Sequence, residues 1–217
     1  MSATTDSILD AVRRAKGDSK ERKFKESIDL AISLRDVDLK DPSKRFRAEV
    51  LLPHKLNKPV RLCIIGDDAL VSKAQSEGVD YTLTEAGMED LARDPNGAKS
   101  YISKIDYFLA MPQMMAVVGK VLGRFLGPAG KMPTVLPPNA EISDFVTRIG
   151  RTARIRLRQN PVIHCRVGTE DMPDEEIAAN IRAILHEIEN RLEQGANNIH
   201  ATHVKTTMGP AIKIGEI

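Results

Sequence analysis

The N-terminal quarter of the chain carries patterns typical of one helix and two strands. Residues 27–34 alternate apolar side chains with polar or small ones, and this period of two predicts a strand with one buried face. Residues 45–52 predict a second strand, which ends at Pro53. A short helix is predicted from Asp6, as its N-cap residue, to about Ala15.

The middle of the chain alternates short apolar runs with helical patterns. Strands are predicted at 61–65, 80–83 and 106–112, and helices at 85–93, 111–127 and 141–150. Asp67 or Asp68 is expected to start a further helix. Strands that alternate with helices through short connections predict a largely parallel sheet covered by helices.

The last third of the chain again mixes strands with one long helix. Residues 154–158 and 162–168 flank Gln159–Pro161 and predict a hairpin. A long amphipathic helix follows, with Gly195 as its predicted C′ residue. The apolar stripe of this helix consists of Ile177, Ile181, Ile184, Leu185, Ile188 and Leu192. Residues 200–214 predict a strand pair or one bent strand.

Neither end segment is large enough to bury a comfortable core by itself. The economical arrangement is one α+β domain built from residues 1–60 and 157–217, with residues 61–156 inserted as an α/β domain. The predicted fold class therefore combines α+β and α/β parts in two domains.

Composition narrows the class of protein. The chain has 217 residues, of which 41% are hydrophobic and 29% are charged, which is typical of a globular protein and not of a disordered one. No apolar run approaches the roughly 20 residues of a membrane helix, and no secretory signal is expected at the N-terminus. Cys63 and Cys165 make neither a disulfide framework nor a four-cysteine metal site, so a cytoplasmic location is expected.

Charge is clustered although the net charge is only +2. Residues 13–25 hold seven basic side chains, residues 145–169 hold six arginines and no acid, and residues 170–193 hold eight acids. Basic clusters attract phosphate backbones through Coulomb attraction and counterion release. The alternative is a set of solvated charged faces.

Searches for enzyme motifs fail. Residues 123–132 are glycine-rich and contain Gly-Lys, but Phe125 and Met132 stand where a phosphate-binding P-loop needs Gly and Ser or Thr. The strand at 61–65 is not followed by the glycines of a dinucleotide site. The five histidines show no metal-ligand spacing. Two competing hypotheses remain: an α/β enzyme for a nucleotide or sugar phosphate in an interdomain cleft, and a protein-interaction module using the acidic helix at 174–193.

Three segments carry candidate binding chemistry. In the first, Lys23 and Lys25 flank Phe24, so cations can hold phosphates while the ring stacks on a base; the alternative is a core phenylalanine with solvated lysines. In the second, Thr206 and Thr207 offer hydroxyls to a ribose 2′-OH. The residues that follow offer a soft apolar contact, close backbone approach and a fixed turn: Met208, Gly209 and Pro210. An ordinary strand–turn–strand corner is the alternative.

The third segment, residues 126–138, packs two glycines and four prolines between helix candidates. A long, stiff loop of this kind is often functional. With Arg124 and Lys131 it could meet RNA or a partner protein, while the alternative is a rigid connection.

Together these segments resemble the large-subunit ribosomal protein L-one family, the universal ribosomal stalk protein. The family's signature is matched by Thr207-Met208-Gly209-Pro210, and its strand entry by Phe24, Glu26 and Ser27. Its glycine–proline loop and its Ile-His, Val-Gly strand are matched by Gly127-Pro128, Gly130, Met132-Pro133, Ile163-His164 and Val167-Gly168. The sequence around residues 25–34 is similar to the archaeal branch.

The resemblance implies two hinged domains, an RNA-binding one built from both chain ends and a Rossmann-like three-layer insert. It implies a structural protein of the large subunit, without catalytic residues, cofactor or metal, that is monomeric when free. The implied partners are the stalk of large-subunit rRNA, exit-site tRNA, the protein's own operon mRNA, which it would repress, and the rest of the large subunit. No membrane partner is implied.

The residues carried over from the family form two sets. The rRNA and mRNA set is Lys23, Phe24, Lys25, Glu26, Ser27, His164, Arg166, Gly168, Thr206, Thr207, Met208, Gly209 and Pro210. In it, Thr207, Met208 and Gly209 are expected to approach the RNA backbone, and Glu26 to accept hydrogen bonds from 2′-OH or base donors. The second set, for tRNA or a further RNA contact, is Arg124, Gly127 and Lys131.

Overall fold

The chain forms two compact units, one from both chain ends and one from the middle. In the computed structural model, which describes residues 4–57, 59–137 and 141–215, the terminal unit is Met1–Lys58 with Gly150–Ile217 and the insert is Pro59–Ile149. The combination of α+β and α/β parts agrees with the predicted fold class. The second boundary lies at Gly150 and not at residue 157, because the strand Thr152–Leu157 pairs with Phe46–Leu51 in the terminal unit.

The elements follow one another in three groups. The first is α1 (Thr5–Gly17), β1 (Ser27–Leu34) and β2 (Phe46–Leu51). The insert contains β3 (Leu62–Ile65), α2 (Asp68–Ser76), β4 (Tyr81–Leu83), α3 (Glu85–Arg93), α4 (Pro95–Lys104), β5 (Tyr107–Ala110), α5 (Met115–Val121), α6 (Gly123–Ala129), β6 (Thr134–Val135) and α7 (Ile142–Gly150). The last is β7 (Thr152–Leu157), β8 (Val162–Thr169), α8 (Asp174–Arg191), β9 (Ile199–Thr206) and β10 (Ile212–Lys213). Short 3₁₀ helices lie at Pro42–Lys44, Pro112–Met114 and Gly195–Asn198.

Strand β1 organises the terminal unit. It pairs antiparallel with β8 on one side and with β9 on the other, in a sheet of order β10–β9–β1–β8. Every second residue of β1 is buried, as the alternation predicts. Those side chains pack against α1 and α8, which contribute buried residues such as Ile8, Val12, Ile177, Ile181, Ile184 and Ile188. One face of the sheet thus carries the core.

The predicted hairpin of 154–158 with 162–168 is wrong. Strand β7 pairs with β2 in a separate two-stranded ribbon, whereas β8 pairs with β1. The turn between them directs β8 to β1, because the carbonyl of Pro161 accepts the Leu34 N–H at 2.8 Å. Backbone groups near the turn are thereby satisfied without a β7–β8 ladder.

The insert is a parallel sheet of order β4–β3–β5–β6 with a hydrophobic cluster on each face. Alternate residues of β3 divide between the clusters, with Cys63 and Ile65 on one side and Leu62 and Ile64 on the other. Helices α3 to α6 supply the first cluster, and α2 and α7 supply the second. The insert therefore has three layers. Among the described residues, no helix is both long and apolar enough to cross a membrane.

Two helix ends and one whole helix differ from the predictions. Thr4 and not Asp6 is the N-cap of α1. Helix α8 ends at Arg191, and Gly195, at φ 56°, begins the 3₁₀ turn that follows. Helix α4 was not predicted, although Asp94, whose side chain accepts from the Asn96 N–H, gives a cap signal for it.

The segment at 126–138 is more regular than the predicted loop. The predicted helix 111–127 divides into a 3₁₀ turn, α5 and α6, and α6 continues through Pro128 to a left-handed Gly130 at φ 67°. Strand β6 follows, in parallel with β5. Pro138, the last residue of the segment, lies outside the described residues.

The long helix of the terminal unit provides a test of this core. Ile181→Ala should lower the opening free energy of slowly exchanging β1 amides by about 2–5 kcal/mol, because it leaves a cavity at a fully buried position. Native-state hydrogen exchange measures this. The exposed neighbour Arg182→Ala should change it by less than about 0.5 kcal/mol. Equal effects of the two variants would contradict the packing.

Candidate nucleic-acid interface

The candidate interface lies where the connection between α1 and β1, residues 18–26, meets the end of β9. Thr207 joins the two. Its N–H donates to the Ser27 carbonyl at 3.0 Å, and its hydroxyl accepts from the Ser27 N–H at 3.2 Å and donates to the Ser27 carbonyl at 3.1 Å. Thr207 therefore extends the β1–β9 ladder by one residue and fixes the position of the turn that begins at Met208.

Glu26 is buried beneath this junction, with only 1% of its surface exposed. Its Oε2 accepts the Met208 N–H at 2.9 Å, and its Oε1 lies 2.8 Å from Arg22 Nε. The Met208 amide holds the pKa of Glu26 below its ordinary value, the Thr206 hydroxyl and Arg22 lower it further, and burial opposes them. Glu26 thereby positions the Met208 backbone, and its own contact with RNA stays a prediction.

Thr206 and Gly209 complete the turn from the inside. The buried Thr206 hydroxyl donates to Ser19 Oγ at 3.1 Å. A Cβ on Gly209 would overlap Thr206 Oγ1 and would lie 3.6 Å from the Ser19 side chain. The glycine predicted to admit a nucleotide is therefore also required by the packing of the turn itself.

The outer side of the junction exposes apolar groups beside one cation and one hydroxyl. Phe24 is 54% exposed and Met208 is 59% exposed, although both are large and apolar. Lys23, Thr207 and Pro210 are exposed beside them in the sequence. We call these five residues the signature edge. An exposed aromatic side chain beside a cation and a further apolar side chain is typical of surfaces on which nucleic-acid bases stack.

Lys25 lies next to the signature edge but is already paired. Its Nζ lies 2.9 Å from Asp171 Oδ2, and the Thr169 hydroxyl donates to the same carboxylate. Asp171 raises the pKa of Lys25, and Lys25 lowers the pKa of Asp171. The pair ties the entry of β1 to the end of β8. Part of the charge predicted to hold a phosphate is therefore compensated within the chain.

Strand β8 carries three residues that were predicted to contact RNA, two on its outer face and one that is buried. His164 is exposed and Arg166 is half-buried on the same face of the strand. Arg166 stands opposite Asp29, and its buried Nε has no hydrogen-bond partner among the described residues. Gly168 is buried, and a Cβ there would come within 3.0 Å of Met172 Sδ. This glycine lets the core pack behind β8, and RNA contact by Gly168 stays a prediction.

The second predicted RNA set lies in the insert. The Arg124 guanidinium donates to the Ala92 carbonyl at 2.8 Å and lies over the Phe125 ring at 4.6 Å. Lys131 Nζ donates to the Ile102 carbonyl at 2.8 Å. Both cations thus hold carbonyls near helix C-termini, which is a structural role. Gly127 lies within α6. RNA contact by these three residues stays a prediction.

Charged residues of α1 and α8 pair with each other. Lys16 Nζ lies 2.6 Å from Asp174 Oδ1, and Arg13 lies within 3.6 Å of the same carboxylate. Arg13 also approaches Glu175 at 3.9 Å. These contacts engage part of the basic N-terminal cluster and the first turn of the acidic helix, which the interaction-module hypothesis needs as a free surface.

The described residues contain neither a metal-ligand cluster nor an exposed thiol. No group of three or more metal-ligating side chains occurs within residues 4–57, 59–137 and 141–215. Cys63 and Cys165 are free but buried, and burial raises the pKa of both thiols to about 12. Both therefore remain protonated and unreactive at neutral pH.

Comparison with known proteins identifies the class to which this fold and edge belong. The architecture is that of a two-unit protein in which a parallel α/β unit interrupts an α+β unit. A family model described as "Ribosomal protein L1p/L10e family" matches residues 15–210. The chain belongs to this ribosomal protein family.

Archaeal relatives named "Large ribosomal subunit protein uL1" match over almost their whole length. The Pyrococcus horikoshii protein is 43% identical over 208 residues, which cover 95% of this chain and 94% of the relative. The Methanobrevibacter smithii protein is 37% identical over 210 residues, 97% of this chain and 99% of the relative. The predicted archaeal-type family membership is confirmed, and the names of these relatives agree with the prediction of a ribosomal protein and not an enzyme.

The buried Glu26 should make stability depend on pH. Because its pKa in the folded chain lies below the ordinary 4.5, its ionised form stabilises the fold above that pH, and the contribution is lost as pH falls through the folded pKa. Glu26→Gln should therefore lower the melting temperature at pH 7 and lose less stability on acidification than wild type. Melting curves between about pH 7 and 3 measure this. The exposed Glu21→Gln should keep the wild-type profile, and so should Glu26→Gln if the carboxylate had no such role.

Substitution by alanine should have opposite effects on stability at two glycines, Gly209 in the turn and Gly127 in α6. Gly209→Ala should destabilise the protein by about 1–3 kcal/mol, because the new Cβ overlaps the Thr206 hydroxyl. Gly127→Ala should stabilise by about 0.5–1 kcal/mol, because this helical site has no described atom within 4 Å of a Cβ. Thermal unfolding compares the two. A harmless Gly209→Ala would contradict the geometry of the turn.

Proposed function

We propose that this protein, as a constituent of the large ribosomal subunit, binds the rRNA of the mobile stalk directly through the signature edge. The observation that supports this most strongly is the hydrogen bond that the Met208 N–H donates to the buried Glu26 carboxylate, because it fixes the backbone that carries the exposed Met208 next to the segment of the exposed Phe24. A surface whose backbone is already fixed loses little entropy when it binds.

The chemistry of the edge suits RNA. Phe24 offers a ring face for a base, and Lys23 offers a cation for a phosphate. Among the described residues, the Thr207 oxygen accepts one hydrogen bond, so one of its two acceptor positions remains for a ribose 2′-OH. Contacts to the 2′-OH let a protein distinguish RNA from DNA.

Further partners follow from the family. The relatives are named as large-subunit proteins, and we place this chain in the cytoplasm, on the ribosome. We also propose the family's two other activities for it: assisting release of tRNA from the exit site, and repressing its own operon mRNA through a site that mimics the rRNA. The same signature edge would serve the rRNA and the mRNA.

A gel-shift titration tests the proposal. The probes are a transcript of the rRNA stalk and a scrambled RNA of equal length, each at two salt concentrations. Tight, stalk-selective binding that weakens with salt is the expected result, because phosphate contacts release counterions. Weak binding that is equal for both RNAs would overturn the proposal.

The two exposed apolar side chains should account for much of the selectivity. Phe24→Ala and Met208→Ala should each weaken stalk binding, the first by about 1–3 kcal/mol, the range for loss of a stacked base. Both side chains are more than half exposed, so the melting temperature should stay close to that of wild type. Val146→Ala, at an exposed apolar residue of the insert, is the matched control and should bind as wild type does. Equal affinity of all three variants for the stalk transcript would contradict the role of the signature edge.

A further inference from the structure

A second cationic surface lies on the ribbon formed by β2 and β7. Their exposed residues alternate with buried ones, so the long polar side chains share one face. In the register of the ribbon, Arg47 stands opposite Arg156, and Glu49 stands opposite Arg154. Arg158 follows directly after β7 and is exposed. We call Arg47, Arg154, Arg156 and Arg158 the arginine ribbon.

The arginine ribbon places two like charges, Arg47 and Arg156, directly opposite each other. Side chains directly opposite on antiparallel strands have Cβ atoms only about 5 Å apart, and like charges at such positions destabilise the sheet. The nearby carboxylate of Glu49 is ion-paired with Arg154, whose Nε donates to Glu49 Oε1 at 3.0 Å. Within the described residues, Arg47, Arg156 and Arg158 form no ion pair.

The electrostatic environment of Arg156 agrees with this arrangement. Burial lowers the pKa of its guanidinium first, and the charges of Arg158, Arg47 and Arg154 lower it further. All three neighbours therefore act on one side chain, for which the described residues supply no ion-pair partner. An anion placed between the opposed guanidinium groups would relieve the repulsion.

We infer that the arginine ribbon is a second RNA contact, which binds the phosphodiester backbone without reading bases. Planar guanidinium groups bind phosphate oxygens in a bidentate way, and a row of them suits a chain of phosphates. The ribbon lacks an aromatic side chain among its exposed strand positions, so it offers cations and no stacking surface for a base. This inference rests on the proposed function, since the same RNA is its intended ligand.

The arginine ribbon and the signature edge lie toward opposite ends of β1. Thr207 bonds to Ser27 at the start of the strand, whereas Val162, which follows the turn after Arg158, pairs with Ser33 near its end. At about 3.3 Å per residue, these two points of β1 lie roughly 20 Å apart. The two surfaces would therefore contact different nucleotides of one RNA and reinforce each other.

The test measures the salt dependence of binding by the double variant Arg47→Gln/Arg156→Gln. The probes are the stalk transcript and polyuridylate, which has phosphates but no stalk structure, between about 50 and 200 mM salt. The matched control is Arg13→Gln/Arg93→Gln, which removes the same charge from two exposed arginines that are already ion-paired.

The ribbon variant should lose about tenfold in affinity for both RNAs, and its slope of log K against log salt should become shallower by about 1.4–1.8, the value for two lost phosphate contacts. The control should keep the wild-type slope. Free ribbon variant should also melt at a temperature equal to or higher than wild type at low salt, because the opposed charges are gone. This second readout excludes misfolding as the cause of weaker binding.

The outcomes separate the two proposals. An unchanged slope on polyuridylate, or an equal loss in the control, would overturn the arginine ribbon, whatever the stalk transcript does. Wild-type protein that binds both RNAs equally, together with a shallower slope for the ribbon variant, would support the ribbon and overturn the stalk function.

Discussion

The hydrogen bond between the buried Glu26 carboxylate and the Met208 N–H is the contact on which the interface depends. It joins residues 182 positions apart in the sequence and closes the junction between the connection after α1 and the end of β9. Together with the bonds between Thr207 and Ser27, it holds the Met208 backbone beside the segment that carries Phe24. Burying a carboxylate is costly unless it is hydrogen-bonded and paired with a cation. Here Oε2 accepts from the Met208 N–H, and Oε1 lies 2.8 Å from Arg22 Nε.

The topology explains why both chain ends are needed for one surface. Strand β1, from the N-terminal segment, lies between β8 and β9, which both come from the C-terminal segment. The large insert leaves the chain after β2 and returns before β7, and these two strands pair with each other. The β2–β7 ribbon therefore brings the two ends of the terminal unit's chain together at the point where the insert begins and ends.

Sequence reasoning was most successful where local periodicity decides the structure. The alternation of residues 27–34 and the parallel strands of the insert follow from side-chain burial, which the pattern displays directly. It failed for β7 because strand pairing depends on partners distant in sequence. The family resemblance also could not show that Glu26 is buried under Met208 or that Gly168 lies against Met172, because a motif match gives residue types and not their burial.

The central claim is that a fixed junction around Glu26 presents the signature edge to RNA. Amide chemical-shift mapping during titration with the stalk transcript tests this most directly. The account predicts the largest shifts at the amides of Ser27, Thr207 and Met208 and their neighbours, with smaller ones along β2 and β7. Shifts confined to the insert, residues 59–149, or shifts of equal size with scrambled RNA, would contradict it.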